Sequence, residues 1–183
     1  MKIVVAMTGA SGSIYGIRLL QELKKRDCEV FLIVTRNARK IMEYETGYNE
    51  EKLSKYAEKI YDEDDMESSL ASGSFMYDAM IIIPCSLKSM AAVANGLAIN
   101  LVARAAICCL KEERKLIVVP RETPLDLITL ENMVKLKKAG VTILPAMPAF
   151  YHKPDDIDDL VDYVVGKILE QLGMEHNLYK KWG

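Results

Sequence analysis

The chain has little of what builds metal or disulfide sites. It carries two histidines, His152 and His176, and four cysteines, Cys28, Cys85, Cys108 and Cys109, with no C-x-x-C spacing. That scatter offers no zinc site, and adjacent Cys108 and Cys109 fit a buried helix better than a disulfide framework. A reducing, cytoplasmic compartment is the expectation. An excess of one charge is also missing: 24 Lys and Arg against 26 Asp and Glu leave a formal charge of -2. No global field then draws the chain to nucleic acid or anionic lipid, and any bound anion needs a local cluster. No stretch reads as a membrane segment. Ile3 to Met7 is shorter than the ~7 to 15 apolar residues of a signal peptide and reads as a strand. Met90 to Leu110 is long enough to span, but Asn95, Gly96, Asn100 and Arg104 interrupt it. An Arg in lipid is costly, so a helix buried in protein is the better reading.

What is present is an ordinary globular composition, 50% hydrophobic and 27% charged over 183 residues. At roughly 150 residues per domain this predicts a single domain over 1–183. Short Val- and Ile-rich runs at Ile3–Ala6, Val30–Val34, Met80–Ile83, Leu116–Val119 and Val141–Leu144 are candidate buried strands. Helical spacing covers Ser13–Lys25, Asn37–Glu45, Ser89–Leu110, Leu130–Lys138 and Ile157–Leu172. The polar stretch Tyr48–Ser74 reads as a longer excursion with room for a short helix. Strands apolar along their whole length, alternating with helices, imply a parallel sheet covered on both faces. The predicted fold is a three-layer α/β/α, doubly wound, Rossmann- or flavodoxin-like domain.

In such sheets ligands bind beyond the carboxyl ends of the strands. Those positions hold Thr8-Gly9-Ala10-Ser11-Gly12-Ser13, Thr35-Arg36, Pro84-Cys85-Ser86-Leu87-Lys88-Ser89 and Pro120-Arg121-Glu122-Thr123-Pro124. Hydroxyls, glycines and cations therefore border one cleft. A glycine turn leading into a helix is a natural phosphate seat, although Gly9, Gly12 and Gly16 do not form G-x-G-x-x-G and no P-loop Lys follows. A dinucleotide site wants an acid at the end of the second strand, where Thr35 and Arg36 stand instead. Arg36 keeps NADP open, while the hydroxyl-rich loops suit a mononucleotide phosphate such as that of FMN. Ser86 to Ser89 fit helix capping as well as ligand contact.

An ordered set of motifs extends over nearly the whole chain: Met7-Thr8-Gly9-Ala10-Ser11-Gly12, Glu45-Thr46, Ala71-Ser72-Gly73-Ser74, Pro84-Cys85-Ser86, Asn100-Leu101 with Arg104-Ala105-Ala106, Leu110-Lys111-Glu112, Pro120-Arg121-Glu122-Thr123-Pro124-Leu125, Leu130-Glu131-Asn132-Met133, and Leu144-Pro145 through Phe150-Tyr151. In these the sequence resembles the UbiX-type flavin prenyltransferases, formerly described as aromatic acid decarboxylases. The resemblance implies FMN binding without metal and transfer of a dimethylallyl group from dimethylallyl phosphate to reduced FMN. A fourth ring forms, and the prenylated FMN serves a partner UbiD-type decarboxylase. It further implies that Gly9, Ala10, Ser11, Thr35, Ser86, Leu87, Lys88, Ser89 and Arg121 hold FMN. Arg104, Lys111, Arg121, Glu122, Tyr151 and Lys167 would surround the prenyl phosphate, some of them from a neighbouring subunit of a homododecamer. The chain departs from the family pattern at Asp65-Met66-Glu67, where a Trp is frequent.

The chemistry agrees with that assignment. An allylic phosphate leaves as a dianion and needs cations and donors where charge develops, which Arg104, Lys111, Arg121, Lys167 and the Tyr151 hydroxyl can supply. Arg104, inside an apolar helix, requires a partner. The allyl fragment left behind is cationic and suits an aromatic neighbour, with Trp182 the candidate and tail docking its alternative. Bond formation at the flavin releases protons, which calls for a carboxylate with a hydroxyl relay, read here as Glu45 and Ser11, with Lys111 and Glu122 completing the catalytic group. The acidic run Asp62-Glu63-Asp64-Asp65 reads as a solvated loop rather than a magnesium clamp. His152 reads as part of an exposed turn. Two other functions share these features: an FMN carrier without chemistry, and a flavin-dependent cysteinyl decarboxylase. The second would want a His between residues 36 and 46, where there is none.

Overall fold

The computed structural model describes all 183 residues. Its centre is one parallel sheet of β1 (Lys2–Met7), β2 (Glu29–Val34), β3 (Lys59–Asp62), β4 (Ala79–Cys85), β5 (Lys115–Pro120) and β6 (Thr142–Ile143), in the order β3-β2-β1-β4-β5-β6. Ile3 lies beside Val30 on one side and Ala79 on the other. Along β1, Ile3, Val5 and Met7 enter one hydrophobic core, and Val4 and Ala6 enter a second on the opposite face. Period-two alternation between two cores is why this strand has no polar face.

The first core is closed by α1 (Ser13–Lys25), α2 (Arg36–Thr46) and α7 (Ile157–Gln171), which contribute Leu19, Leu23, Met42, Val165 and Ile168. The second is closed by α4 (Leu87–Ala94), α5 (Leu101–Lys111) and α6 (Leu127–Lys138), through Met90, Val93, Leu101, Val102 and Leu136. The predicted doubly wound three-layer architecture is therefore present. Strand order reverses between β1 and β4, so the ligand-binding crevice falls at their carboxyl ends. With the short edge strand β3 set aside, the order is the 2-1-3-4-5 of flavodoxin-like sheets.

Two expectations change. The helix predicted over Ser89–Leu110 is two helices: Asn95 closes α4, and the Asn100 side chain caps α5 by accepting the Ala103 N–H at 3.1 Å. Of the polar residues that argued against a membrane span, Asn95, Gly96 and Asn100 lie at the break and Arg104 lies inside α5, and no helix is long and apolar enough to cross a membrane. The excursion Tyr48–Ser74 contains α3 (Glu50–Ser54) and a short 3-10 turn at Ser69–Ala71, but also β3. The acidic run lies at the end of β3 and in the turn after it, with Asp62 and Asp64 exposed, and side-chain contacts tie it down. Asp62 pairs with Arg39 and Asp64 with Arg36, while Glu63 accepts the Arg36 N–H at 2.7 Å and the Asn100 amide at 2.9 Å. These contacts join the starts of α2 and α5.

Candidate active site

Thr8, at the carboxyl end of β1, is buried and polar. Its hydroxyl donates to the Pro84 carbonyl at 2.8 Å and accepts the Ser86 N–H at 2.7 Å. This staple holds the two loops at the switch point side by side. Between them opens a cleft of about 540 Å³, lined by Gly9, Ala10, Ser11, Lys40, Ile41, Tyr44, Glu45, Ser86, Leu87, Arg121 and Glu122. Arg121 crosses the mouth and donates from Nε to the Ser11 carbonyl at 3.0 Å.

Glu45 arrives from the end of α2. Its carboxylate accepts the N–H groups of Gly12 and Ser13, each at 3.0 Å, at the start of α1. Gly12 is left-handed, with φ of 102°, a conformation that presents its N–H without a Cβ penalty. Partial burial pushes the Glu45 carboxyl up, but the Ser11 hydroxyl and the Ser13 and Gly12 N–H groups outweigh it and hold the group below its usual range. An ionised carboxylate with a hydroxyl beside it is a base with a relay. The same contact corrects the expectation of a phosphate seat at the glycine turn, because Glu45 already occupies the amino end of α1.

The amino end of α4 is differently placed. Ser86 caps it, accepting the Ser89 N–H at 3.3 Å and donating its hydroxyl to the Ser89 hydroxyl at 3.1 Å. By helix geometry the N–H groups of Leu87 and Lys88 have no intrahelical partner. They lie one and two residues from Ser86, which lines the cleft, and make this end the stronger anion seat. Thr35 and Ser89 are buried; Thr35 caps α2 through the Ala38 N–H at 3.2 Å. Lys88 is exposed. The cleft volume lies within the range of small-ligand pockets, and a flat, mostly apolar ring with one phosphate matches its mix of Ala10, Ile41 and Leu87 with Ser11, Ser86 and Arg121. The residues present fit FMN.

The remaining predicted groups do not line this cleft in the single chain; the resemblance implied that some of them come from a neighbouring subunit. Arg104 is half-buried and donates from Nε to the Ala71 carbonyl at 2.8 Å, the partner its apolar helix required. Lys111, at the far end of α5, is exposed and pairs with Glu112 at 3.0 Å. Tyr151 and Lys167 form a third group with the C-terminal segment: Trp182 meets Tyr151 edge-on at 5.4 Å, and Lys167 pairs with Glu170. Trp182 makes this one edge-on contact and is otherwise exposed. His152 lies in the expected turn between exposed Tyr151 and Lys153, but its own ring is half-buried, stacked on Tyr163 at 5.5 Å with both ring nitrogens unpartnered. Lys40, Ile41 and Tyr44 were missed from sequence. The signal available was helical: steps of three and four place them on the Glu45 face of α2, while Ala38 and Met42 are buried.

A family model described as Flavoprotein matches residues 1–169. The flavin prenyltransferase UbiX of Methanocaldococcus jannaschii is 47% identical over 100% of this chain and 99% of its own. The chain belongs to the UbiX flavin prenyltransferase family. Among solved structures, the dodecameric FMN-dependent UbiX-like decarboxylase from Escherichia coli O157:H7 is 43% identical and has a TM-score of 0.97 over 100% of both chains. AnUbiX, in complex with FMN and dimethylallyl pyrophosphate, is 40% identical with a TM-score of 0.97, covering 100% of this chain and 97% of its own. The peptidyl-cysteine decarboxylase EpiD, 19% identical with a TM-score of 0.63 over 81% of each chain, shares the fold alone. The cysteinyl decarboxylase alternative is accordingly not favoured for this member of the UbiX family. Its cysteine nearest the cleft, Cys85, is fully buried, and burial pushes that thiol far up, away from the nucleophilic thiolate.

Proposed function

We propose that this protein transfers the dimethylallyl group of dimethylallyl phosphate to reduced FMN, giving prenylated FMN for a UbiD-type decarboxylase. The observation that carries the reading is the ionised Glu45 carboxylate beside Ser11 on one side of the cleft, with Arg121 and Glu122 on the other. Reduced FMN supplies the electron-rich ring that takes up the allyl carbon. Gly9, Ala10, Ser11, Ser86 and Leu87 border its seat, Arg121 and the amino end of α4 hold its phosphate, and Thr35, Lys88 and Ser89 support that end of the cleft. Ser11 relays a proton from the flavin to Glu45. Arg121 compensates the charge of the departing phosphate, and Glu122 orients the cation.

Arg104, Lys111, Tyr151 and Lys167 complete the phosphate site in a homododecamer, contributed across subunit contacts. Supporting this, α6 exposes Leu127, Ile128 and Val134, an apolar face that a soluble monomer rarely leaves open. The E. coli relative is described as dodecameric. Four free thiols accord with a cytoplasmic location.

The test is anaerobic incubation with reduced FMN and either dimethylallyl phosphate or its diphosphate, followed by the mass of the released flavin. A gain of one dimethylallyl unit, lost in Glu45→Gln and Lys111→Ala, is the expected result. Unmodified flavin from saturated protein with both donors would overturn the proposal and leave an FMN carrier.

A further inference from the structure

The last turn of α7 carries a carboxylate that gathers donors from two parts of the chain. Glu170 takes the Lys167 ammonium on Oε2 and the Tyr179 hydroxyl on Oε1 at 2.8 Å. Lys181 Nζ stands 3.4 Å from the same Oε1, and His176 Nε2 stands 3.5 Å away. Partial burial pushes the Glu170 carboxyl up, but Lys167, Tyr179 and Lys181 outweigh it and bring it down to about 2. Lys167 belongs to the helix, while Tyr179 and Lys181 belong to the segment after it.

The seat for that segment is built into the helix. A Cβ on Gly166 would stand 2.6 Å from both His176 Cε1 and Tyr179 Cε1, so a larger residue there would push the segment away. Beyond Tyr179, whose ring lies 4.8 Å from that of Tyr163, the chain carries Trp182 to Tyr151. Lys167, Tyr179 and Lys181 therefore meet around one carboxylate, and Tyr151 adjoins the same segment through Trp182.

We propose that Glu170 is a positioning residue: it holds the Lys167 ammonium and the C-terminal segment in place for the prenyl phosphate. The inference rests on the reading of Lys167 and Tyr151 as phosphate-holding groups. A lysine stem loses substantial rotamer freedom when ordered, and Glu170 orders it before substrate arrives. One ammonium N–H goes to the carboxylate, leaving two for phosphate oxygens. Tyr179 and Lys181 brace the carboxylate from the other side.

Steady-state kinetics of prenyl transfer on the intact protein test this. Glu170→Gln is expected to raise KM for dimethylallyl phosphate about fivefold, with kcat and FMN affinity little changed. In a Lys167→Ala background the same substitution is expected to add nothing, since two residues acting through one contact are non-additive. Tyr179→Phe, which removes one hydroxyl and keeps the ring, should raise KM by a smaller factor and likewise add nothing in that background. It decides the matter if Glu170→Gln does not fold. An equal rise in both backgrounds, or no rise with Lys167 present, overturns the positioning role. An unchanged KM in Lys167→Ala alone overturns the assignment of Lys167 itself, and this inference with it.

Discussion

The carboxylate of Glu45 and the backbone N–H of Ser13 stand 3.0 Å apart at the start of α1, although 32 residues separate them in sequence. The contact replaces the local side-chain cap that Gly12 cannot supply. It also holds Glu45 ionised in the cleft. Glu45→Gln keeps the shape but removes the proposed base, and prenyl transfer is expected to fall by at least ~100-fold with FMN still bound. Because the carboxyl titrates below its usual range, the base form persists through pH values that protonate an ordinary Glu. A kcat/KM profile should therefore show no acid limb at the ordinary Glu value. A limb there would show that the contacts at the start of α1 do not hold the carboxyl below its usual range.

Glu22 is the most enclosed acid in the chain, its side chain 3% exposed, and it binds Arg18, Lys25 and Arg26 at 2.5, 2.7 and 2.5 Å. Arg18 also pairs with Asp162 of α7, so the cluster ties two helices together. Burial pushes the Glu22 carboxyl up, and the three cations more than offset that, bringing it down to about 2. A carboxyl depressed in the folded state contributes stability above its unfolded value, near ~4.3, and loses it as pH falls toward its folded value. Glu22→Ala should cost about 2 kcal/mol at pH 7. Urea unfolding of both proteins at pH 7 and pH 3 checks this, with the gap narrowing at pH 3.

Thr8→Val removes the staple between β1 and β4 at almost constant volume. It leaves the Pro84 carbonyl and the Ser86 N–H without their partner, at a cost of about 1–3 kcal/mol. The loops on either side of the cleft lose their common anchor, so FMN affinity should drop together with stability. Titration of apo-protein followed by flavin fluorescence reads the first, and thermal unfolding reads the second. Lost stability with unchanged FMN affinity would separate the staple from the binding site.

Ile128 on α6 is 71% exposed in the isolated chain. In the proposed homo-oligomer it is covered, and Ile128→Glu places a charge in that contact. Sedimentation should then show smaller species whose circular dichroism matches that of the parent. An unchanged assembly would locate the subunit contacts elsewhere.

The sheet was largely legible because burial on both faces leaves nothing polar inside β1, β4 and β5. β3 was not: Lys-Ile-Tyr-Asp is short, carries charge at both ends, and becomes a strand only by pairing with β2 at the sheet edge. The single helix expected over Ser89–Leu110 failed for a related reason. Apolar periodicity continues across the break, and only the capping of α5 by Asn100 shows that the chain turns there. The cleft loops were readable because they follow strands. Lys40 and Tyr44 were not, since an exposed polar helix face looks the same whether it borders a site or only solvent.

From the sequence alone came the alternation of wholly apolar strands with amphipathic helices, hence the layer order and the edge at which ligands bind. Periodicity is a local property, and it survives in one dimension. Which side chains meet is not local. Glu45 reaches α1, Glu63 joins α2 to α5, and Glu170 gathers Lys167 and Tyr179, because strand order and helix packing bring separate segments within hydrogen-bond range. Only the tertiary structure decided those partners, and with them which acids border the cleft, which are anchors, and which cations stand outside it.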